Sequence, residues 1–218
     1  MSHRWATFDC YGTLIDWDAG IGAALGDLWP QVERARLLAH YHAVEPRVQA
    51  ERRLSYREVM TRATAAVGAI EGLEVPPGRE ELLAESLPTW PPFPEVAAAL
   101  GKLRDGGWRL AILSNTDPDL LAASVAALRV PFDLLVTASE AGSYKPAPGH
   151  WERFRASAEG DPAMHVHVGA SLFHDVEPCS RLGVDCVWIN RLGEVSELPR
   201  AAELPDLTEL PGVISALG

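Results

Sequence analysis

The chain has 218 residues, 47% of them apolar and 22% charged, which is enough to bury one large α/β core. Its formal net charge of −11 excludes a nucleic-acid or anionic-membrane partner, because both require a basic face, but allows a small anionic substrate. The three cysteines form no CxxC pair, and the sequence has neither an apolar leader nor an apolar run of bilayer length. We therefore expect a reduced, cytoplasmic protein with no membrane partner.

The predicted elements begin with an apolar strand that ends at Asp9. Residues 16–87 carry apolar side chains at three- and four-residue spacing, which predicts helices, and prolines at 30, 46, 76 and 77 interrupt them. The stretch LPTWPPFPEV, residues 87–96, contains four prolines and predicts a stiff connector. Strand and helix patterns then alternate to the end of the chain.

In that second part, apolar runs predict strands at 108–114, 132–139, 164–171 and 184–190. Helices are predicted at 95–105, 117–128, 148–157, 174–183 and 207–217, with Asp117 as the N-cap of the second. Alternating strands and helices indicate a parallel sheet covered on both faces. The predicted fold is a Rossmann-like α/β core of residues 1–15 and 88–218, with an all-helical cap of residues 16–87 inserted after the first strand.

Polar side chains follow four of the predicted strands at the point where each strand ends. They are Asp9 and Thr13, then Ser114 and Asn115, then Lys145, and then Asp175. The carboxyl ends of parallel strands meet at one edge of a sheet, where ligands bind, so we expect these side chains to converge beneath the cap. Lys145 is one of only two lysines among the 19 basic residues, which suggests that a compact ammonium is needed there.

The segments FDCYGTL, LSNT, GSYKPAP and VGASLFHDV resemble the four motifs of the haloacid dehalogenase (HAD) superfamily. The helical segment after the first motif is similar to the C1 cap of that superfamily. The resemblance implies that Asp9 is a nucleophile that forms an ester with the substrate. Thr13, Ser114 and Asn115 would hold anionic oxygens, and Lys145 would keep Asp9 ionised.

Two positions depart from the phosphatases of this superfamily. Those enzymes carry an acid two residues after the nucleophile and another after the VG of the fourth motif, where this chain has Tyr11 and Ala170. Tyrosine, with a pKa near 10, is a poor proton shuttle, and Asp9 with Asp175 alone is a thin ligand set for Mg²⁺. The DxYGT pattern resembles the L-2-haloacid dehalogenases, which need no cofactor because a halide leaves without a proton. Water near Asp175 would then hydrolyse the ester.

The same resemblance suggests further residues around the substrate: Tyr11, Trp151 in the place of a tyrosine, Ser171 and His174. His174 is either a proton carrier or the exposed first residue of a helix. His165 and His167 share one face of their strand and are interpreted as structural. The halide-binding arginine of the dehalogenases is replaced by Tyr41 or His40.

Two other functions remain open from the sequence. One is a phosphatase or phosphonatase-like hydrolase that binds Mg²⁺ through Asp9 and Asp175, and the other is a non-catalytic relative that binds a metabolite. Apolar cap helices would also suit a homodimer.

Overall fold

The computed structural model describes residues 3–51, 54–158 and 164–217. Its strands are β1 Arg4–Phe8, β2 Trp108–Ser114, β3 Leu134–Thr137, β4 Met164–Gly169, β5 Asp185–Ile189 and β6 Ala202–Leu204. Its helices are α1 Trp17–Leu28, α2 Arg34–Gln49, α3 Tyr56–Glu71, α4 Leu82–Ser86, α5 Val96–Asp105, α6 Pro118–Leu128, α7 Ala138–Ala141, α8 Gly149–Ser157, α9 Glu177–Leu182 and α10 Leu210–Leu217. None of the helices in these ranges is long and apolar enough to cross a membrane.

The six strands form one parallel sheet in the order β3-β2-β1-β4-β5-β6. Side chains alternate between its faces, so Ala6 and Phe8 of β1 join one hydrophobic cluster and Trp5 joins another. Both faces are thus covered, as the apolar strands predict. The Rossmann-like α/β fold class with an inserted helical cap is confirmed.

Helices α1–α4 lie between β1 and α5 and form the segment that we call the cap. Each of its two best-defined helices begins at a side-chain cap: Asp16 accepts the N–H of Ala19 at the start of α1, and Ser55 with Glu58 forms a capping box at the start of α3. Helices α2 and α3 pack through buried apolar side chains, and this packing adds the stability that short helices lack on their own.

The chain enters and leaves the cap along two paired linkers. The N–H of Asp16 donates to the carbonyl oxygen of Pro91 at 2.8 Å, and the N–H of Phe93 donates to that of Leu14 at 3.0 Å. Ile15 and Pro92 form an isolated antiparallel bridge between these bonds. The proline-rich connector is therefore held against the end of the first motif.

Three elements differ from the sequence prediction. Strand β6 was not expected, and the helix predicted from residue 174 begins earlier, as a π-helical turn over Leu172–Val176. Asp117 stands at the N-cap position of α6, but its carboxylate caps a different helix. It accepts the backbone N–H groups of Tyr56 at 3.1 Å and Arg57 at 2.9 Å, at the start of α3. A residue of the core thus holds a helix of the cap.

Candidate active site

The carboxyl edge of the sheet faces the cap across a cavity of about 560 Å³, which we call the catalytic cavity. The four residues that the sequence predicts as catalytic, Asp9, Ser114, Lys145 and Asp175, all line it. They converge because β1, β2 and β4 are neighbours in the sheet and their carboxyl ends point the same way.

Asp9 presents a buried but reachable carboxylate, with its side chain 13% exposed. Lys145 Nζ donates to its Oδ1 at 2.8 Å, and the Thr13 hydroxyl donates to its Oδ2 at 2.9 Å. Burial raises the pKa of Asp9 from its ordinary value, even though the positive charge of Lys145 acts in the opposite direction. An oriented carboxylate of raised basicity, held next to a cation, is suited to nucleophilic attack.

Asp175 is fully buried, and N–H donors surround its carboxylate. Its Oδ1 accepts from Lys145 Nζ at 2.7 Å and from His167 Nε2 at 3.2 Å, while Oδ2 accepts the backbone N–H of Ser171 at 3.1 Å. Burial acts to raise the pKa of Asp175, but Lys145 and His167 outweigh it and lower that pKa well below its usual range. The carboxylate packs directly on Gly169, where a Cβ atom would overlap it.

Lys145 is held at both its ends. Its backbone N–H donates to Asn115 Oδ1 at 2.6 Å, and Asn115 Nδ2 donates to its carbonyl oxygen at 3.0 Å. Burial acts to lower the pKa of Lys145, but Asp175 and Asp9 together raise it, so the ammonium stays charged. Asn115 was predicted to bind substrate. The structure places it in the wall of the catalytic cavity, and both polar atoms of its amide also bond to the backbone of Lys145, so it holds that lysine in position.

A chain of hydrogen bonds leads from Asp175 across the sheet. Thr7 Oγ1 lies 2.8 Å from His167 Nδ1 and 2.9 Å from His165 Nε2. Because the ionised carboxylate of Asp175 can only accept hydrogen bonds, His167 Nε2 is the donor of the bond between them. His167 was interpreted only as structural. Its alternation with His165 on a strand leading to the fourth motif was the signal that it faces the site.

Tyr11 lines the catalytic cavity with its hydroxyl 2.9 Å from Ser124 Oγ. Burial raises the pKa of Tyr11 above its ordinary value, so the phenol keeps its proton at neutral pH. The next residue, Gly12, has φ of +87°, a conformation that glycine adopts without steric cost and that turns the chain beneath the cavity.

Two buried polar atoms in the walls of the catalytic cavity have no hydrogen-bond partner in the described ranges: Ser114 Oγ and His174 Nε2. Orphaned buried polar groups are costly, and at a cavity they indicate the position of a ligand or water. Burial lowers the pKa of His174, so its ring is neutral at pH 7. Its Nδ1 lies 3.2 Å from Ser171 Oγ, which also caps the turn by accepting the His174 N–H.

The predicted substrate contacts of Trp151 and Thr13 are wrong for this structure. Trp151 is fully buried in the cluster behind the sheet, with its ring 5.4 Å from that of His167, because α8 turns this side chain toward the strands. Thr13 is also fully buried, and its hydroxyl both donates to Asp9 and accepts the N–H of Ala170. Thr13 therefore orients the Asp9 carboxylate.

The cap places neither His40 nor Tyr41 in the catalytic cavity. His40 pairs with Glu71 at 2.8 Å, and Tyr41 is buried between helices. Two arginines near the start of α2 are also engaged elsewhere, since Arg34 pairs with Asp27 and Arg36 pairs with Glu71. Within the ranges that the structure describes, no arginine lines the catalytic cavity.

The cap instead contributes a carboxyl group that sequence reasoning missed. Glu45 of α2 is buried, lines the catalytic cavity and accepts a hydrogen bond from Gln49 Nε2 at 3.2 Å. Burial raises its pKa to about 7, although His42 and a hydrogen bond from Tyr56 act to lower it. The signal was a carboxylate at position 45 in a stripe that also contains Leu37 and Tyr41.

The donor set does not fit a magnesium ion. Mg²⁺ requires oxygen ligands in an octahedral arrangement, but N–H donors take both oxygens of Asp175, and Lys145 and Thr13 take those of Asp9. Position 170, next to the site, is an alanine. Within the described residues, no group of three or more His, Cys, Asp or Glu side chains is arranged to hold a metal ion.

Comparisons with known proteins agree with this geometry. The family model of haloacid dehalogenase-like hydrolases matches residues 3–183. Haloacetate dehalogenase H-2 of Moraxella sp. (strain B) is 29% identical over 205 residues, covering 85% of each chain. The (S)-2-haloacid dehalogenase of Pseudomonas sp. (strain YL) is 28% identical, covering 87% of this chain and 84% of its own. The L-2-haloacid dehalogenase structure from Xanthobacter autotrophicus superposes with a TM-score of 0.86, covering 99% of this chain and all of its own at 20% identity, and so shares the fold.

Proposed function

Since this chain belongs to the haloacid dehalogenase-like hydrolases, we propose that it hydrolyses the carbon–halogen bond of a small 2-haloacid without a metal ion. The observation that carries the proposal is the Asp9 carboxylate, held by Lys145 and Thr13 at the catalytic cavity, with Tyr11 rather than an acid two residues after it. The haloacetate and (S)-2-haloacid activities named for the two relatives support this substrate class.

In the first step, an Asp9 oxygen attacks the carbon that bears the halogen. The new C–O bond forms as the carbon–halogen bond breaks, and the halide leaves with the electron pair of that bond. No proton is needed for this departure, so Tyr11, whose raised pKa makes it a poor acid, does not limit the reaction. The product is an ester between Asp9 and C2 of the acid.

The unpartnered Ser114 hydroxyl supports a position for the substrate carboxylate. A hydroxyl donates one hydrogen bond to an anionic oxygen, and the bond is stronger in a buried site than in water. The nearby ammonium of Lys145 adds an attractive charge. The acid is thus bound at the same edge of the sheet as the nucleophile.

In the second step, water attacks the ester carbonyl carbon of Asp9 and gives a proton to a base. The bond between that carbon and the C2 oxygen then breaks, the C2 oxygen takes up the proton from the base, and a 2-hydroxy acid leaves while the Asp9 carboxyl group ionises again. The sequence predicts that this water lies near Asp175, but Asp175 is poorly suited to take its proton, because its oxygens already accept three N–H bonds and its pKa is low. His174 is the better base, because its ring is neutral and Nε2 has no partner in the described structure. Asp175 then holds Lys145 in place.

The three cysteines are free and buried, which supports a reducing compartment, and we assign the enzyme to the cytoplasm on that basis.

The test is halide release from chloroacetate and racemic 2-chloropropanoate in the presence of a chelator. The wild type should release halide, and Asp9→Asn, which keeps the side-chain shape, should lose at least on the order of 10⁴-fold in rate. Release that requires added Mg²⁺, or turnover of phosphoesters alone, would refute the proposal in favour of a phosphatase. Ligand binding without any turnover would indicate a non-catalytic relative.

A further inference from the structure

A second cavity, of about 500 Å³, lies beside the catalytic cavity, and we call it the side cavity. Its walls are mostly apolar, formed by Trp17 of α1, Phe93 of the second linker, Leu172 of the π-helical turn, and Ile189 and Leu192 at and after the end of β5. Neither the nucleophile nor Lys145 lines it, so the chemistry described above does not account for it.

The two cavities adjoin each other. They share six lining residues, namely Tyr11, Trp17, His42, Ser171, Phe173 and Glu194. A molecule whose reacting carbon lies at Asp9 can therefore extend past the Tyr11 ring into the side cavity. Cavities of this size hold ligands of drug size, so an acid of two or three carbons would leave most of the space empty.

The charges around the side cavity favour an uncharged occupant. Its one arginine, Arg191, already pairs with Glu95 at 2.6 Å, donates to the Thr13 carbonyl oxygen at 3.0 Å and lies 3.5 Å from the ring centre of Phe93. His42 pairs with Asp18 at 2.9 Å and stacks on Trp17. Asp16 and Glu194 add negative charge to the walls, which disfavours an anionic group there.

We propose that the side cavity binds an arylalkyl substituent on C2 of the substrate, so that the preferred substrates are 2-haloacids with a phenyl-bearing side chain. This rests on the proposed function for the reacting end of the molecule. The aromatic residues along the path, Tyr11, Trp17 and Phe93, offer edge and face contacts to a phenyl ring. Burial of this substituent in the side cavity supplies the binding free energy, and each buried methylene group should raise the affinity about threefold to fourfold.

The kinetic test compares 2-chloro-4-phenylbutanoate with 2-chloropropanoate. We expect kcat/KM for the phenyl substrate to be at least about tenfold higher in the wild type. Leu192→Trp and Leu172→Trp narrow the side cavity from different walls. Each should lower kcat/KM for the phenyl substrate about tenfold and leave kcat/KM for 2-chloropropanoate within about twofold of the wild-type value. Val195→Trp is the matched control, since Val195 is 92% exposed in the same loop and does not line the cavity.

A binding test separates this inference from the proposed chemistry. By calorimetry, 4-phenylbutanoate should bind the wild type at least about tenfold more tightly than butanoate, and Leu192→Trp or Leu172→Trp should remove the difference. That result would support the side cavity even if no substrate released halide. Equal affinity for the two acids, or unchanged preference in both tryptophan variants, would overturn the inference while leaving chloropropanoate turnover as evidence for the proposed function.

Discussion

Replacement of Glu45 by Gln should change how the stability of the protein depends on pH. Glu45 is buried in the wall of the catalytic cavity, and its pKa is raised from 4.5 to about 7. Glutamine has nearly the same shape, and its carbonyl oxygen can accept the hydrogen bond from Gln49 that Glu45 now accepts. The substitution therefore removes the titration and keeps the packing.

The sign and size of the effect follow from proton linkage. Between pH 4.5 and about pH 7, the unfolded chain has lost the Glu45 proton while the folded protein retains it. The free energy of unfolding therefore falls as the pH rises, by about 1.4 kcal/mol per pH unit. The wild type loses roughly 3 kcal/mol from this group by pH 8, and Glu45→Gln loses none of it.

The assay is urea unfolding of both proteins at pH 5 and pH 8, where all other titrating groups are common to the pair. We expect the variant to gain about 2.5 kcal/mol in free energy of unfolding relative to the wild type between the two pH values, since a small part of the effect is already present at pH 5. An ionised Glu45 would also repel an anionic substrate, so KM for the haloacid should rise above pH 7 in the wild type and stay level in the variant. An equal change in the free energy of unfolding of the two proteins between pH 5 and pH 8 would show that Glu45 does not titrate in this range.

Two further predictions concern the groups around Asp9. Lys145→Met should lower the free energy of unfolding at pH 7 by about 3–5 kcal/mol, because it leaves the Asp9 and Asp175 carboxylates buried without their cation. The loss of stability should be smaller at pH 5, where one of the two carboxylates takes up a proton. An equal loss at both pH values in urea unfolding would contradict this. His174→Phe should release about one halide per enzyme and then stall, with the ester mass retained on the peptide containing Asp9 in mass spectrometry. Steady turnover at the wild-type rate would show that another group activates water.

The residues that the sequence predicted well are those fixed by the sheet. Apolar strands with polar residues at their carboxyl ends place Asp9, Ser114 and Asp175 together in any parallel sheet with these neighbours. Lys145 reaches the same point because the Asn115 side chain holds its backbone. These positions depend on local pattern and strand order, and both leave a clear mark in the sequence.

The residues that sequence reasoning missed depend on how separate elements pack. The role of Glu45 depends on the placement of the cap over the sheet. Asp117 precedes a proline, which is typical of an N-cap of its own helix, but it caps α3 instead, because the cap brings the start of α3 next to it. Trp151 was placed by spacing alone, which does not specify the rotation of α8. Strand β6 has three residues with Glu203 in the middle, so no apolar run identifies it.

The Asp117 carboxylate accepts hydrogen bonds from Tyr56 and Arg57 and so ties the start of α3 to the core. We call this contact the latch. The two linkers, which are joined by hydrogen bonds such as that from Asp16 to Pro91, attach the cap to the core at a different point. A rotation of the cap about these linkers would pull Tyr56 and Arg57 away from the Asp117 carboxylate. Asp117 lies three residues after Ser114, the last residue of β2, so the latch and the Ser114 hydroxyl share one short segment. Under the proposed function, a movement of this segment would both open the catalytic cavity to solvent and weaken the binding of the acid. Product release would therefore depend on the same segment that binds the substrate.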